Sequence, residues 1–368
     1  MNATELTSAS FRSQSDSGLD IDLENLTGSP FASTTPEVKS SVVIFFEVSV
    51  IIIGVIGSAA NGLVFAVLLR ARQSIHRPTY LLILNQLVLD LFSSVVVFAS
   101  YVVKLSEVTF EGRLGSVLCT LLDSEMILWI GLDGSTTNLV CITLERYAKV
   151  IHPIVHRKHF RLWMVRAGIA IAWSTGVLYS VPVTSVTTMV VNRQCLTYAF
   201  WHSRKTRVAY GVYYFCLDFV FPLLIFTVCY SRIVRAIHRR MKVLPGLPVG
   251  TSSLRSTIQA NLWRSQTIII NTMMIITALF AICWIPNHVY FLLMNLGFRL
   301  SMSSDVWHGT VFVAFLHICL HPFICAVKLD TVKKHVLDFL YGRVRVQPVP
   351  RPTSAVEPRQ IGVAKGVR

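Results

Sequence analysis

Seven separated apolar blocks, each long enough to cross a lipid bilayer, constrain this chain more than anything else in it. A bilayer's hydrocarbon core takes roughly 20 mostly apolar residues as a helix. The blocks fall at about 42–69, 80–103, 117–150, 163–186, 208–233, 268–296 and 306–327. Lipid offers no hydrogen-bond partners, so only helices and closed barrels span it. No period-two alternation lies between turn signals, which argues against a barrel. The expected fold class is all-α: a seven-transmembrane helix bundle over residues 42–327.

The charge pattern fits that reading. A formal net charge of +15 would suit a nucleic-acid partner in a soluble chain, but here 53% of residues are hydrophobic and 14% charged. The bases sit in the gaps between blocks. With the N-terminus outside, the cytoplasmic gaps and tail hold 25 of the 34 Lys and Arg residues. That is the positive-inside bias, and an odd span count then puts the C-terminus in the cytosol. No nucleic-acid partner is expected.

Residues 1–41 are polar, Ser/Thr-rich and net acidic, with no basic stretch followed by a short apolar one, so no cleavable signal peptide is evident. They read as an extracellular tail in which Asn2 and Asn25 begin glycosylation acceptor triplets. Beyond the seventh block, Leu329, Val332, Val336 and Phe339 share one helical face opposite Lys333 and Lys334. Residues 328–341 are therefore expected to form an amphipathic interfacial helix, and 342–368 a disordered cytoplasmic tail. Of eight cysteines, only Cys119 and Cys195 fall outside the membrane on the oxidising side, where they are free to pair.

Each block also carries a mark: Asn61 in GSAANGLV, Asp90 in LNQLVLDL, Glu145-Arg146-Tyr147, Trp173, Pro222 with Tyr230, Phe280 with Cys283-Trp284-Ile285-Pro286, and Pro322 in HPFICAV. In this order and spacing the marks resemble the rhodopsin-like class of G-protein-coupled receptors, over roughly residues 42–340. The resemblance implies a plasma-membrane receptor that senses an extracellular ligand and catalyses nucleotide exchange on a heterotrimeric G protein. Arrestin and receptor kinases are implied as further partners. It also implies that Arg146 pairs with Glu145 at rest and swings toward the G protein when active. In the family a sodium ion sits by the acid corresponding to Asp90.

Physical chemistry adds to those marks. Asp90 lies mid-membrane, where a charge is costly, so it must face the interior. Asn61, Ser135 and the seventh helix are expected to meet it there. The chain departs from the family pattern at His321, which stands beside Pro322 where the family has Asn; His317 lies one turn earlier. A protonated imidazole would pair with Asp90 in place of the ion, weakening sodium control; two neutral histidines bonded to backbone or water are the open alternative. Glu145 and Arg146 are read as a surface pair worth at most ~1 kcal/mol. Gln266 stands where many relatives place an acid to hold that Arg, so elevated basal activity is expected. Pro286 removes a helical hydrogen bond and supplies a hinge, with Trp284 and Phe280 relaying ligand contact to it. Tyr230 would meet Cys325 rather than a second tyrosine, so the phenol pair of the family's latch cannot form.

For the ligand, Leu128 points within about 20° of the inward direction of Ser135, Glu125 within about 80°, and Asp133 roughly 160° away toward a neighbouring helix. An apolar Leu128 disfavours a monoamine. Cys119 to Arg146 is about two residues longer than the family norm, so a bulge is expected to rotate the outer half of the third helix. Asp123 or Glu125 would then face the cavity, with Asp218 a further acid at that depth. The ligand site is read as Glu125, Leu128, Asp218 and Trp284, favouring a cationic group of a peptide. The alternative is that these acids pair with Arg204, Lys205 or Arg207. Phe315 stands where a light sensor needs lysine. Arg232, Arg235, Arg239 and Arg240 give the fifth helix a basic cytoplasmic face suited to anionic lipid. No metal-spaced cluster or enzyme constellation appears. A transporter or proton-linked channel, motivated by Asp90, His317 and His321, and a non-signalling decoy remain as other functions.

Overall fold

The structure, a computed structural model, describes residues 40–70, 78–243 and 253–328, together with residues 333 and 337. Its elements in chain order are α1 (Ser41–Arg70), α2 (Pro78–Leu105), α3 (Gly112–Leu118), a π-helical turn (Cys119–Asp123), α4 (Met126–Ile151), α5 (Pro153–His159), α6 (Leu162–Thr187) and the strands β1 (Met189–Val191) and β2 (Gln194–Leu196). Then follow α7 (Arg204–Tyr214), a second π turn (Phe215–Val220), α8 (Phe221–Val243), α9 (Ser253–Leu296) and α10 (Asp305–Lys328). Among the described residues seven helical stretches are long and apolar enough to cross a membrane. The third runs through α3, the π turn and α4 (Gly112–Ile151), and the fifth through α7, the second π turn and α8 (Arg204–Arg239).

The bundle is held by an interior strip of side chains including Leu87, Leu128, Leu139, Ile270, Phe280 and Phe315. Helix α1 packs on α2 and α10, and α4 lies centrally against α2, α6 and α8. Between apolar helices in lipid, close approach and polar contacts supply the association. A Cβ added at Gly176 of α6 would come within 2.1 Å of the Ile130 carbonyl oxygen of α4, so only glycine permits that spacing. Outward-facing side chains such as Phe45, Trp163, Leu178 and Ile282 are exposed, as a lipid-facing surface requires.

At one end, Cys119 and Cys195 form a disulfide that ties the start of the third span to β2. Strands β1 and β2 pair antiparallel through the two-residue turn Asn192-Arg193. Both turn residues have positive φ (49° and 64°), the conformation such a tight hairpin needs. This is the disulfide end; the opposite one is the Arg146 end. Helix α9 begins at Ser253, well before the apolar block at 268, so the sixth helix extends past the membrane on the Arg146 side. Of the expected interfacial helix, Lys333 and Leu337 are helical and exposed; the remainder of 329–341, the tail 342–368, and Asn2 and Asn25 lie outside the described residues.

Candidate functional site

At the disulfide end a cavity of about 1010 Å³ opens between the spans. Of its lining residues six are Asp or Glu (Glu47, Glu107, Asp123, Glu125, Asp133 and Asp305) and two are Lys or Arg (Lys104 and Arg193). The third span reaches it by an irregular path. The π turn absorbs an extra residue, Ser124 follows, and Glu125 takes a left-handed conformation (φ 62°, ψ 19°) before α4 starts. This is the bulge the length of the segment calls for, and it brings both Asp123 and Glu125 to the cavity. Non-helical backbone at this depth is tolerated where it lines a cavity rather than lipid. Glu125 pairs with Lys104 at 2.5 Å, and the Lys104 ammonium sits 4.8 Å from the Tyr101 ring centre.

Three of the expected ligand residues are placed elsewhere. Leu128 has no exposure and belongs to the interior strip, because α4 is regular from Met126 and turns that side chain into the core. Asp218 does not line the cavity: it is buried in the second π turn and paired with His288 of α9 at 3.1 Å, not with Arg204, Lys205 or Arg207. Trp284 lies beneath the cavity, 6.1 Å from Trp129 between ring centres, and Trp129 is the indole that lines it. Asp133 does point toward neighbouring helices, accepting hydrogen bonds from Ser180 of α6 (3.1 Å) and Tyr214 of α7 (3.0 Å), yet it also lines the cavity. Rings of Tyr198, Tyr210, Tyr214 and Phe291 surround that side in edge and stacked contacts. Burial pushes the Tyr198 phenol above its ordinary range, so it stays a neutral donor.

Beneath the cavity the rings continue inward from Trp284 to Phe280 (6.3 Å) and Phe226 (6.1 Å from Phe280). Pro286 lies inside α9 next to this stack, and Pro322 inside α10. In mid-bundle, Asp90 accepts from Ser135 Oγ at 2.9 Å and Gln86 Nε2 at 3.1 Å on one oxygen, while His321 Nδ1 is bonded to the other. Asn61 donates instead to the Ile318 carbonyl at 3.2 Å. His317 does not join the cluster: its ring stands edge-on to Phe280 at 5.6 Å, and its Nε2 has no hydrogen-bond partner among the described residues. Its helical phase faces Phe280 rather than Asp90.

At the Arg146 end, Arg146 and Glu145 approach to 2.9 Å with each side chain only 1% exposed. The expectation of a surface pair is therefore corrected. The pair is buried, and it is an ionic contact without aligned hydrogen-bond geometry. His156 of α5 adds a second contact to Glu145 at 3.2 Å and stacks on Phe160. Tyr147 accepts from Arg232 at 3.3 Å, and Tyr230 meets Thr143 at 3.1 Å rather than Cys325, which is buried on α10. Arg232, Arg235 and Arg239 line a groove of about 410 Å³ with Tyr147 and Ile151. The side chains of Gln266 and Arg240 lie outside the described residues.

Sequence reasoning missed Lys104, Gln86, Asn138 and His288. Asn138 donates to Gln86 at 2.8 Å and to the Leu82 carbonyl at 3.0 Å, and Asn85 joins it to Trp173, so a polar net ties the second, third and fourth spans. The signal was present in Asn85 and Gln86, polar residues inside an apolar block, which must find partners.

The sequence profile of the family described as 7 transmembrane receptor (rhodopsin family) matches residues 60–324. The chain belongs to this family. It is 25% identical over 310 residues to galanin receptor type 2 of Rattus norvegicus, covering 82% of this chain and 77% of that one. It is 26% identical over 286 residues to galanin receptor type 3 of Homo sapiens, covering 75% and 73%. It is 26% identical over 248 residues to a QRFP-like peptide receptor of Branchiostoma floridae, covering 64% and 62%. The chain is thus a rhodopsin-family receptor of the multi-pass membrane type with peptide receptors among its relatives.

Proposed function

We propose that this receptor binds an extracellular peptide through the acid-rich cavity at the disulfide end and activates a heterotrimeric G protein at the Arg146 end. The observation that carries the reading is that one span, Gly112–Ile151, holds both Glu125 and Asp133 at the cavity and Glu145 and Arg146 at the far end. The disulfide requires the oxidising side, and the Lys and Arg bias puts Arg146 in the cytosol. The names of the peptide receptors among its relatives support a peptide, and the excess of acids favours one with a cationic group.

In this reading the aromatic chain from Trp129 through Trp284 to Phe280 relays occupancy to the Pro286 hinge. The sixth helix swings, the Arg146 end opens, and the guanidinium leaves Glu145 for the G protein; His156 remains to hold Glu145. The donor set at Asp90 does not fit a sodium ion, since one carboxylate oxygen is taken by the His321 imidazole and the other by Ser135 and Gln86. We accordingly place no ion there.

The test is guanine-nucleotide exchange on purified heterotrimers by membranes holding this chain, before and after addition of synthetic basic and amidated peptides. Exchange raised by a peptide in the parent and absent in Arg146→Ala supports the reading. A chain that binds such peptides and never promotes exchange is a decoy, and the signalling half of the proposal falls.

A further inference from the structure

The buried acids of the bundle differ in what answers their charge. Asp90 has His321, Glu125 has Lys104, Glu145 has Arg146 and His156, and Asp218 has His288, each base within ion-pair distance. Asp133 is 1% exposed and has hydroxyls only: Ser180 on one oxygen and Tyr214 on the other. Among the described residues no Lys, Arg or His stands within 4.0 Å of it. A buried carboxylate with no counter-ion is costly. Unlike Asp90, Glu145 and Asp218 it lines the cavity, and unlike Glu125, which lines it too, it has no base of the chain within ion-pair distance, so a cation entering the cavity can reach it.

The walls are suited to one. Trp129, Tyr198, Tyr210, Tyr214 and Phe291 all line the cavity. Tyr214 is the junction: its ring centre lies 6.4 Å from Trp129, 5.9 Å from Tyr210 and 5.8 Å from Phe291, while its hydroxyl donates to Asp133. Aromatic faces attract cations, most strongly where water is excluded. A carboxylate carries about four acceptor positions, so two remain after Ser180 and Tyr214.

We propose that Asp133 and its aromatic walls form the subsite for a guanidinium or primary ammonium of the ligand, the cation that completes a charge the protein leaves unanswered. This rests on the peptide-receptor reading and deepens it. The Lys104–Glu125 pair near the cavity mouth is not that subsite, because its acid already holds a cation of the chain's own.

The experiment uses the full chain purified in lipid nanodiscs, with N-acetyl-arginine methylamide and N-acetyl-lysine methylamide as probes and the neutral isostere N-acetyl-citrulline methylamide as control. Binding is read by saturation-transfer NMR and by the shift of the thermal unfolding midpoint. The cationic probes bind and the citrulline probe does not. Asp133→Asn weakens the arginine probe roughly ten- to hundred-fold, as loss of a charge-assisted hydrogen bond does. Glu111→Gln, at an exposed acid that does not line the cavity, leaves its binding within about threefold. Should Asp133→Asn not fold, Trp129→Leu, which keeps an apolar wall and removes the ring face, serves instead and weakens the probe several-fold. Equal binding of citrulline, equal loss in Asp133→Asn and Glu111→Gln, or no binding of either cationic probe overturns the subsite. Nucleotide exchange by the parent against Arg146→Ala is scored separately, so a failed subsite and a failed receptor assignment remain distinguishable.

Discussion

The two ends of the third span are built differently. Toward the disulfide it passes through a π turn and a left-handed glutamate before becoming regular; toward Arg146 it is uninterrupted α-helix from Met126 to Ile151. The fifth span repeats the contrast, with its π turn at Phe215–Val220 and a regular run to Val243. Irregular backbone re-aims side chains that a straight helix would bury or send into lipid. At the cavity end it sets Asp123 and Glu125 against open space and Asp218 against His288. At the Arg146 end regular winding is enough, since Glu145, Arg146 and Tyr147 need only consecutive positions on one helix. Asp123 and Glu125 are thus placed at the cavity by backbone irregularity, and Glu145, Arg146 and Tyr147 by plain helix.

That contrast is open to attack by mutation. The largest effect is expected in the regular half: Glu145→Ala leaves the Arg146 guanidinium buried beside a lost carboxylate, and removal of one partner of a buried pair costs about 3–5 kcal/mol. Thermal unfolding of the purified protein measures it, and a loss under about 1 kcal/mol would return the pair to the surface class. Next, Cys119→Ser with Cys195→Ser frees the chain closure at the irregular end; about 2–4 kcal/mol of stability is lost, and reductant lowers the parent but not the double variant. A smaller effect, about 1–3 kcal/mol, is expected of Tyr214→Phe, which strips a donor from buried Asp133. Smallest is Tyr147→Phe, which removes an exposed contact with Arg232 and costs a few tenths of a kcal/mol, about the size of ordinary surface changes. If Tyr147→Phe exceeded Tyr214→Phe, the buried hydroxyl would not be the stronger of the two contacts.

Mid-bundle, His321→Asn takes the imidazole from Asp90. The parent should show the same nucleotide exchange in sodium and in choline salts, and the variant should lose exchange in sodium. Sodium inhibition already present in the parent would mean that the imidazole does not occupy the carboxylate.

The same contrast decides what could be read from sequence. Seven helices followed from block length, because lipid leaves a segment of ~20 apolar residues few alternatives. Asp90 with Ser135 followed from the cost of an intramembrane charge and from the family resemblance, which also set His321 at the family's Asn position and left its pairing with Asp90 as one of two readings. The bulge before α4 was legible as a surplus of residues, but its form was not; Leu128 lies beyond it, in regular α4, where phase gave its inward direction but not the packing that fills the space in front of it. Asp133 shows the limit of phase alone: it does turn toward neighbouring helices, and the cavity extends to it because Tyr214 and Ser180 arrive there from spans far apart in sequence. The burial of Glu145 and Arg146 was equally unreadable, since it depends on how other elements pack around that end of α4. Lys104 falls just past the apolar block at 80–103, and α2 runs two residues beyond that block, to Leu105, which brings it to Glu125.

The central claim is that the buried Glu145–Arg146 contact is the restraint whose release activates a G protein. Basal nucleotide exchange on heterotrimers, measured side by side for the parent, Glu145→Gln and Arg146→Ala at matched surface expression, tests it most directly. The account predicts exchange above the parent in Glu145→Gln, where the guanidinium is no longer held, and below it in Arg146→Ala. Equal exchange in all three, or a fall in Glu145→Gln with folding intact, would contradict it.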